Sequence, residues 1–343
     1  MHLVALVDSP DHVCCRYRIA AFRSRLEQAG HRLELVPFPR SLWGRLQLGS
    51  YLRHADAVIL QRRLLPFWQL CLLRRGVRRL LFDLDDAVFL RDSYSSKGLH
   101  DRRRLRRFAA TARAADIVVA GNSFLASAAR HHGGITRVIP TCVNPALYPL
   151  AEHTRRGEGV QLVWIGSSST LKGLESIAPL LETVGRECPG VRLKLVCDRF
   201  LHLHSLPVDE CPWSEASEAE ALAGADIGIG WVPDDLWSRG KCGLKVLQYM
   251  AAGLPVIANP VGVQAEMVWH GETGFLVETP QDWVDAVRYL AADPDLRHRM
   301  GRAGRARVEA EFSVDAGAAL WIKLLSDLCS GEQEGPTRAV RVG

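Results

Sequence analysis

No run of eighteen consecutive apolar residues occurs in the 343-residue chain, so no helix is expected to span a bilayer. No CxxC pair occurs either. The nine cysteines are scattered and odd in number, and adjacent Cys14-Cys15 cannot readily bridge each other. Neither a zinc site nor a disulfide framework is supported, and a reducing cytoplasm is the expected compartment. Met1–Val7 is too short for a signal peptide and lacks a basic n-region, so it reads as a first strand. No short-period repeat is visible. No metal site is expected: His202 and His204 would point the same way in a strand but lack a third ligand, and read as surface histidines.

What is present is an ordinary globular composition, 48% hydrophobic and 24% charged, with length enough for two cores. The charge is unevenly spread. Residues 1–157 hold 26 Lys and Arg against 12 Asp and Glu, a net of +14, and the remainder carries −9. Arg74-Arg75, Arg102-Arg103-Arg104 and Arg106-Arg107 belong to the basic half. Such a half suits an anionic membrane surface or a phosphate-bearing acceptor. An arginine-rich coding bias is the bland alternative. No recognised nucleic-acid-binding motif accompanies the charge, so nucleic acid is not expected as a partner. The expected location is cytoplasmic, peripheral at the inner face of the membrane.

Strands and helices alternate along the chain, which predicts parallel sheets with helices on both faces. Strands are expected at Leu3–Val7, Arg32–Val36, Ala57–Leu60, Leu80–Asp83, Ile117–Ala120 and Arg137–Ile139, with helices near Arg18–Ala29 and Asp101–Ala114. The apolar segment Leu64–Arg75 reads as a core helix, with an amphipathic membrane-facing helix as its alternative. Ala151–Gly159 reads as a linker. A second series follows, with strands at Gln161–Ile165, Arg192–Cys197, Ile227–Trp231, Pro255–Ala258 and Gly274–Val277. Helices are expected at Leu171–Glu187, Glu215–Ala223, Gly243–Ala252 and Gln281–Ala292, and a last one at 313–330.

The most informative stretch is WSRGKCGLKVLQYMAAGLPVIA, Trp237 to Ala258. It reads as loop, short helix, sharp stop and buried strand. Lys241, Lys245 and Gln248 fall at i, i+4 and i+7, on one helical face, with Arg239 just before them. A helix N-terminus with free N–H groups and two or three cations is suited to a diphosphate; two solvated surface lysines are the plain alternative. Upstream, strand Gln161–Ile165 runs into Gly166, Ser167, Ser168 and Ser169, with Lys172 following. Backbone N–H groups at such a strand end hold phosphate well, and Ser169 or Thr170 also suits a helix cap.

Gln248–Ala258 resembles the donor-site signature of GT-B glycosyltransferases of the family 4 type. That family frames this helix with two glutamates eight positions apart. The corresponding positions here are Gly240 and Gln248, so the chain looks like a divergent form without the carboxylate pair. The resemblance implies an α/β GT-B fold of two Rossmann-like doubly wound domains facing a cleft. Residues 1–150 would form the acceptor side, 160–312 the donor side, and 313–330 a helix crossing back. It also implies a nucleotide-diphosphate sugar as donor substrate, no cofactor, and retention of configuration. Gly262 and Glu266 resemble the loop that closes over the donor, and Asp198 lies where the nucleobase usually sits, as an exposed loop acid would too. Gly271–Val277 resembles a structural hairpin-like turn followed by a buried edge.

In the first half, strand Leu80–Asp83 ends in acids, at the edge where open α/β sheets bind ligands. Asp85 and Asp86 are candidates to receive a proton from an acceptor hydroxyl, with a helix N-cap as the other role. Arg16 and Arg18 are the candidate cations on this acceptor side. Asp83-Leu84-Asp85 also fits the short D-x-D of haloacid dehalogenase phosphatases, though its place late in the sheet argues against that. The expected activity is transfer of a sugar to a hydroxyl on a glycan or lipid-linked acceptor, in glycan, cell-surface polysaccharide or glycolipid biosynthesis. The catalytic candidates are Asp85, Asp86, Lys241 and Lys245. A nucleotide-sugar epimerase and a non-catalytic nucleotide-sugar-binding protein are the alternatives.

Overall fold

The computed structural model describes residues 1–39 and 41–330. The chain divides into two compact units. Met1–Thr141 and Val314–Ser330 form one, and Cys142–Ser313 forms the other.

The first unit is built on β1 (His2–Val7), β2 (Arg32–Pro37), β3 (Ala57–Gln61), β4 (Leu80–Leu84), β5 (Ile117–Ala120) and β6 (Thr136–Val138). They form one parallel sheet in the order β2-β1-β3-β4-β5-β6. β3, β4 and β5 are buried along their whole length, as a parallel sheet covered on both faces requires. The expected helix Arg18–Ala29 is instead α1 (Val13–Arg18), a 3-10 turn Ala20–Phe22 and α2 (Arg23–Gln28). The start was hidden because the cap is a histidine: His12 Nδ1 accepts from the Cys14 N–H. The remaining helices are α3 (Leu42–Leu52), α4 (Phe67–Gly76), α5 (Arg102–Ala114) and α6 (Ser123–His131). Asp101 caps α5 by accepting from the N–H groups of Arg103 and Arg104.

α4 is not the core helix expected of its sequence. Gln69, Leu70 and Leu73 are buried, but Phe67 is 73% and Trp68 52% exposed.

The second unit holds β7 (Gln161–Ile165), β8 (Arg192–Cys197), β9 (Val208–Pro212), β10 (Ile227–Gly230), β11 (Val256–Ala258) and β12 (Gly274–Leu276). Their parallel order is β12-β11-β10-β7-β8-β9. β9 is a largely solvent-facing edge strand ending in Pro212, without the apolar run that marks a central one. β12 pairs parallel with β11, so the Gly271–Val277 stretch is a turn into an edge strand rather than a hairpin. Ala151–Gly159 is no free linker: Ala151 and His153 are buried, and His153 Nε2 lies 2.8 Å from the Gly253 carbonyl.

The helices of this unit are α7 (Ser168–Ser176), α8 (Ala178–Glu187), α9 (Glu218–Ala223), α10 (Leu236–Arg239), α11 (Leu244–Ala251), α12 (Val263–Met267), α13 (Pro280–Ala292) and α14 (Pro294–Glu311). The single helix expected over Leu171–Glu187 breaks at Ile177, where Pro179 opens α8. α14 was not expected, because Gly301 and Gly304 weaken its helical signal. Packing explains both glycines: a Cβ at Gly301 would stand 1.8 Å from the Gly253 carbonyl oxygen, and one at Gly304 3.2 Å from Met250 Cγ. The last helix, α15 (Val314–Ser330), returns to the first unit. There it buries Trp321 against Phe22, ring centroids 6.4 Å apart, and Asp315 pairs with Arg25.

Tyr249 of α11 lies under the second sheet, fully buried. Its ring occupies the space that a Cβ at Gly228 of β10 would enter, 2.4 Å from Tyr249 Cγ. The β7–β10 register runs through Leu162 and Val163, and two residues later the Ile165 N–H donates to Tyr249 Oη at 3.0 Å. Tyr249→Phe leaves that buried N–H unpaired and is expected to cost about 1–3 kcal/mol in chemical denaturation. An unchanged midpoint would mean that water takes the place of the hydroxyl.

Candidate functional site

In the second unit the strand order reverses between β7 and β10, and open α/β sheets bind ligands outside such a point. Gly166 follows β7 there. A Cβ on it would lie 2.4 Å from Trp164 Cη2 and 2.7 Å from Thr170 Oγ1, so only glycine fits. Ser167 and Thr170 form a capping box at the start of α7, and Ser167 Oγ is 2.8 Å from Ser169 Oγ. The Ser168 N–H and hydroxyl both donate to Asp198, at 2.6 and 2.9 Å. Asp198 is therefore engaged as a capping carboxylate at this helix start. The Ser168 hydrogen bonds hold its carboxyl below the usual carboxylate range. Lys172 is exposed one turn into α7.

α11 brings Lys245 to this loop. Its ammonium stands 4.9 Å from the Trp164 ring centre and 3.5 Å from Thr170 Oγ1. Burial lowers its pKa to about 8, with the charge of Lys241 adding to the effect. Lys241 does not share the helical face expected for it. α11 starts only at Leu244, after Gly243 in left-handed geometry at φ 66°, so Lys241 lies in the preceding turn with its amine 5.2 Å from the Trp237 ring centre. Gln248 is buried, and its amide donates to Tyr148 Oη at 3.3 Å, so it faces the interior rather than a ligand.

Around this core, Arg239 is exposed and bonds Asp234 through two nitrogens, at 2.9 and 3.2 Å. Gly262 approaches the Arg239 backbone so closely that a Cβ would lie 3.1 Å from its Cα. Glu266 is exposed on α12. An open depression of about 950 Å³ lies at the same strand ends, lined by Trp231 after β10, Asn259 and Val261 after β11, and Glu278 after β12. The structure thus brings Gly166, Ser167, Ser168, Ser169, Asp198 and Lys245 together, with Lys241 near enough to act on Lys245.

In the first unit the order reverses between β1 and β3, and side chains from both strand ends converge. Arg18 is 1% exposed, donating to Asp83 at 2.6 Å and to the Ile139 carbonyl at 2.5 Å. It supplies the cation that Asp83 requires and, being buried, is closed to an acceptor. Arg16 instead lies 5.3 Å from the Tyr17 ring centre. The partner of Asp85 and Asp86 is Arg62, 3.3 Å from each, which also contacts the Cys14 thiol. Burial, then Asp85, pushes that thiol's pKa up. Arg62 stands in left-handed backbone geometry at φ 57°, rare for a non-glycine residue. In the sequence it is one half of an arginine pair, with nothing to mark it.

Two alternative roles for the acids fail here. The next α-helix after Asp85-Asp86 begins at Arg102, so neither is a helix N-cap. Asp83 is fully buried against Arg18, which removes it as the nucleophile of a D-x-D phosphatase. Among the described residues, no group of three or more His, Cys, Asp or Glu could hold a metal ion.

Residues 237–307, which span α11 and most of α14, match the sequence model of the family described as Glycosyl transferases group 1. Among curated proteins, the chain is 29% identical over 196 residues to a D-inositol 3-phosphate glycosyltransferase of Pseudarthrobacter chlorophenolicus. That match spans 50% of this chain and 46% of the relative. It is 31% identical over 168 residues to a GDP-mannose-dependent alpha-(1-6)-phosphatidylinositol monomannoside mannosyltransferase of Mycobacterium tuberculosis, across 48% of this chain and 39% of the relative. The chain therefore covers less than half the length of these relatives. Among solved structures, a sucrose-phosphate synthase from Thermosynechococcus elongatus matches 96% of this chain and 100% of its own, with a TM-score of 0.76 and 18% identity. Anabaena HepE in complex with UDP-glucose matches 95% and 100%, with a TM-score of 0.69 and 18% identity. These likenesses show the fold, GT-B, with two Rossmann-like domains. The relation to the glycosyl transferases group 1 family is carried by residues 237–307.

Two outcomes are expected of the site itself. Arg18→Ala leaves Asp83 as a buried unpaired charge and should cost about 3–5 kcal/mol in urea denaturation. The Lys245 amine, followed by NMR of carbon-labelled lysine, should titrate near pH 8; a midpoint near that of a free lysine, about 10.4, would mean that it is solvated.

Proposed function

We propose that the chain is a glycosyltransferase that takes a sugar from a nucleotide-diphosphate sugar and passes it, with retention, to a hydroxyl of a glycan or lipid-linked acceptor. The observation that carries this is the Lys245 amine, held between Trp164 and the start of α7 at a sheet switch point. A diphosphate leaving group develops negative charge, and a cation fixed in a poorly solvated place stabilises it without reorganising. Lys241 adds a second charge beside the first. The Gly166–Ser169 loop offers hydroxyls and N–H groups next to them, and Asp198 would yield its bonds on Ser168 to an incoming phosphate. The match over residues 237–307 and the UDP-glucose complex of a protein of the same fold support this assignment.

Asp85 and Asp86 serve the acceptor in this scheme. Arg62 fixes both carboxylates at a strand end, where one of them can take a proton from an attacking hydroxyl. Gly240 and Gln248, at the positions of the family's glutamates, favour a second assignment as a nucleotide-sugar binder without turnover. Gly240 has no side chain, and Gln248 is spent on Tyr148. Cytoplasmic placement suits the free thiols, since all nine cysteines are unpaired with one another.

Thermal stability with a panel of nucleoside diphosphates and nucleotide sugars tests the donor site. A ligand at about 100 times its Kd stabilises the native state by about 2.7 kcal/mol, and Lys245→Ala should abolish the shift. A panel that moves neither protein would count against the donor site. The pH dependence has a definite sign. A bound diphosphate needs the charged amine, whose pKa in the free protein is about 8. Affinity for a nucleotide sugar, whose diphosphate diester has no proton to lose in this range, should therefore be flat below that pH and weaken by up to about tenfold per unit above it, and Lys245→Arg, which stays charged, should remove the dependence. Product release from donor and acceptor by the wild type, absent in Asp85→Asn and Asp86→Asn, separates transferase from binder.

A further inference from the structure

Helices α3, α4 and α5 contain nine arginines and not one Asp or Glu. Each follows a parallel strand, β2, β3 and β4 in turn, so their N-termini lie at the C-terminal edge of the first sheet, with Asp85 and Asp86. α4 packs against α3 on one side and α5 on the other. The first turns of α3 and α4 present large aromatic side chains to solvent: Trp43 is 77% exposed, beside the exposed Phe67 and Trp68. Single exposed apolar residues are ordinary, but here three exposed rings stand in the first turns of two helices that pack together, with Leu46 and Leu72 exposed one turn further on.

An open groove of about 550 Å³ runs between α4 and α5. Its floor is apolar, from Phe67, Leu70, Cys71 and Ala110, and its rim carries Arg74, Arg75 and Arg113. Asp116 pairs with Arg74 at 2.9 Å, which leaves the rim in net positive charge. Along α5, Arg102, Arg103 and Arg106 are exposed beyond the groove. Rings that prefer the headgroup boundary, with guanidinium groups around them, match an anionic lipid surface in both polarity and charge. A second protein copy would bring nine more arginines to the same face, which like-charge repulsion disfavours.

We propose that the face formed by α3, α4 and α5 docks on an anionic bilayer, with Trp43, Phe67 and Trp68 among the headgroups and the groove-rim arginines on their phosphates. The docking stands on this surface alone. Only its consequence for the acceptor rests on the proposed transferase activity: the acceptor would be membrane-held, delivered to Asp85 and Asp86 at the same sheet edge.

The test is flotation of the full chain with vesicles of phosphatidylglycerol and phosphatidylcholine, and with phosphatidylcholine alone. Binding is expected on the mixed vesicles only, and raised salt should weaken it as screening shortens. Phe67→Ala with Trp68→Ala, and separately Arg103→Glu with Arg106→Glu, should each lower partitioning about tenfold or more at unchanged melting temperature. No flotation of the wild type, or equal binding to phosphatidylcholine alone, overturns the proposal. So does a dimer in sedimentation velocity that the Phe67 and Trp68 substitutions dissociate, since the face then belongs to a second copy. Nucleotide-induced stabilisation in all these variants separates a failed surface from a failed donor site: it persists if only the surface assignment is wrong.

Discussion

One hydrogen bond ties the second unit's sheet to its charged helix. The backbone N–H of Ile165, at the end of β7, finds the hydroxyl of Tyr249 on α11. A buried N–H without a partner is costly, so the strand end and the helix are fixed to each other. Gly228 makes the contact feasible by leaving room for the ring. Lys245 is one turn before Tyr249, and Gly166 is the next residue after Ile165. The distance between the half-buried amine and the loop at the start of α7 therefore follows from a bond that touches no ligand. Gly253, Gly301 and Gly304 hold the other side of α11 by letting α14 approach its backbone.

The two units handle charge in opposite ways. In the second, Lys245 is left with a hydroxyl and an aromatic ring as neighbours and no carboxylate, so burial pulls its pKa down. A cation kept in that condition gains most when an anion arrives. In the first, each acid at the strand ends already has a guanidinium: Arg18 for Asp83, Arg62 for Asp85 and Asp86. The surplus arginines of that unit lie elsewhere, on α3, α4 and α5, where no acid of the same helices neutralises them. Inner pairing orders a site, and outer excess acts at long range on whatever approaches.

Much of the architecture was legible because buried parallel strands are continuous apolar runs. Leu3–Val7, Ala57–Leu60 and Ile117–Ala120 announce themselves in this way, and the glycine after α11 marks its stop. Illegible were elements whose signals are inverted by contact. α14 carries two glycines that read as breaks until α11 is seen against them. α1 begins on a histidine cap, and β9 is an edge strand with little apolar content. α4 misled in the other direction, since a strongly apolar segment reads as core whichever way its rings point.

By itself the sequence determined the alternating α/β order, the uneven charge and the loop–helix–strand segment at Trp237–Ala258, because these depend on local periodicity and composition. Tertiary structure alone decided which polar groups meet. Arg62 reaches Asp85 and Asp86 from another strand end, Asp198 caps α7 from thirty residues away, and Gln248 turns inward to Tyr148. Lys241 and Lys245, which look equivalent on a helical wheel, are separated by the left-handed turn at Gly243. Pairing energies of charged and hydrogen-bonding groups depend on distance and burial, and neither is a property of the chain order.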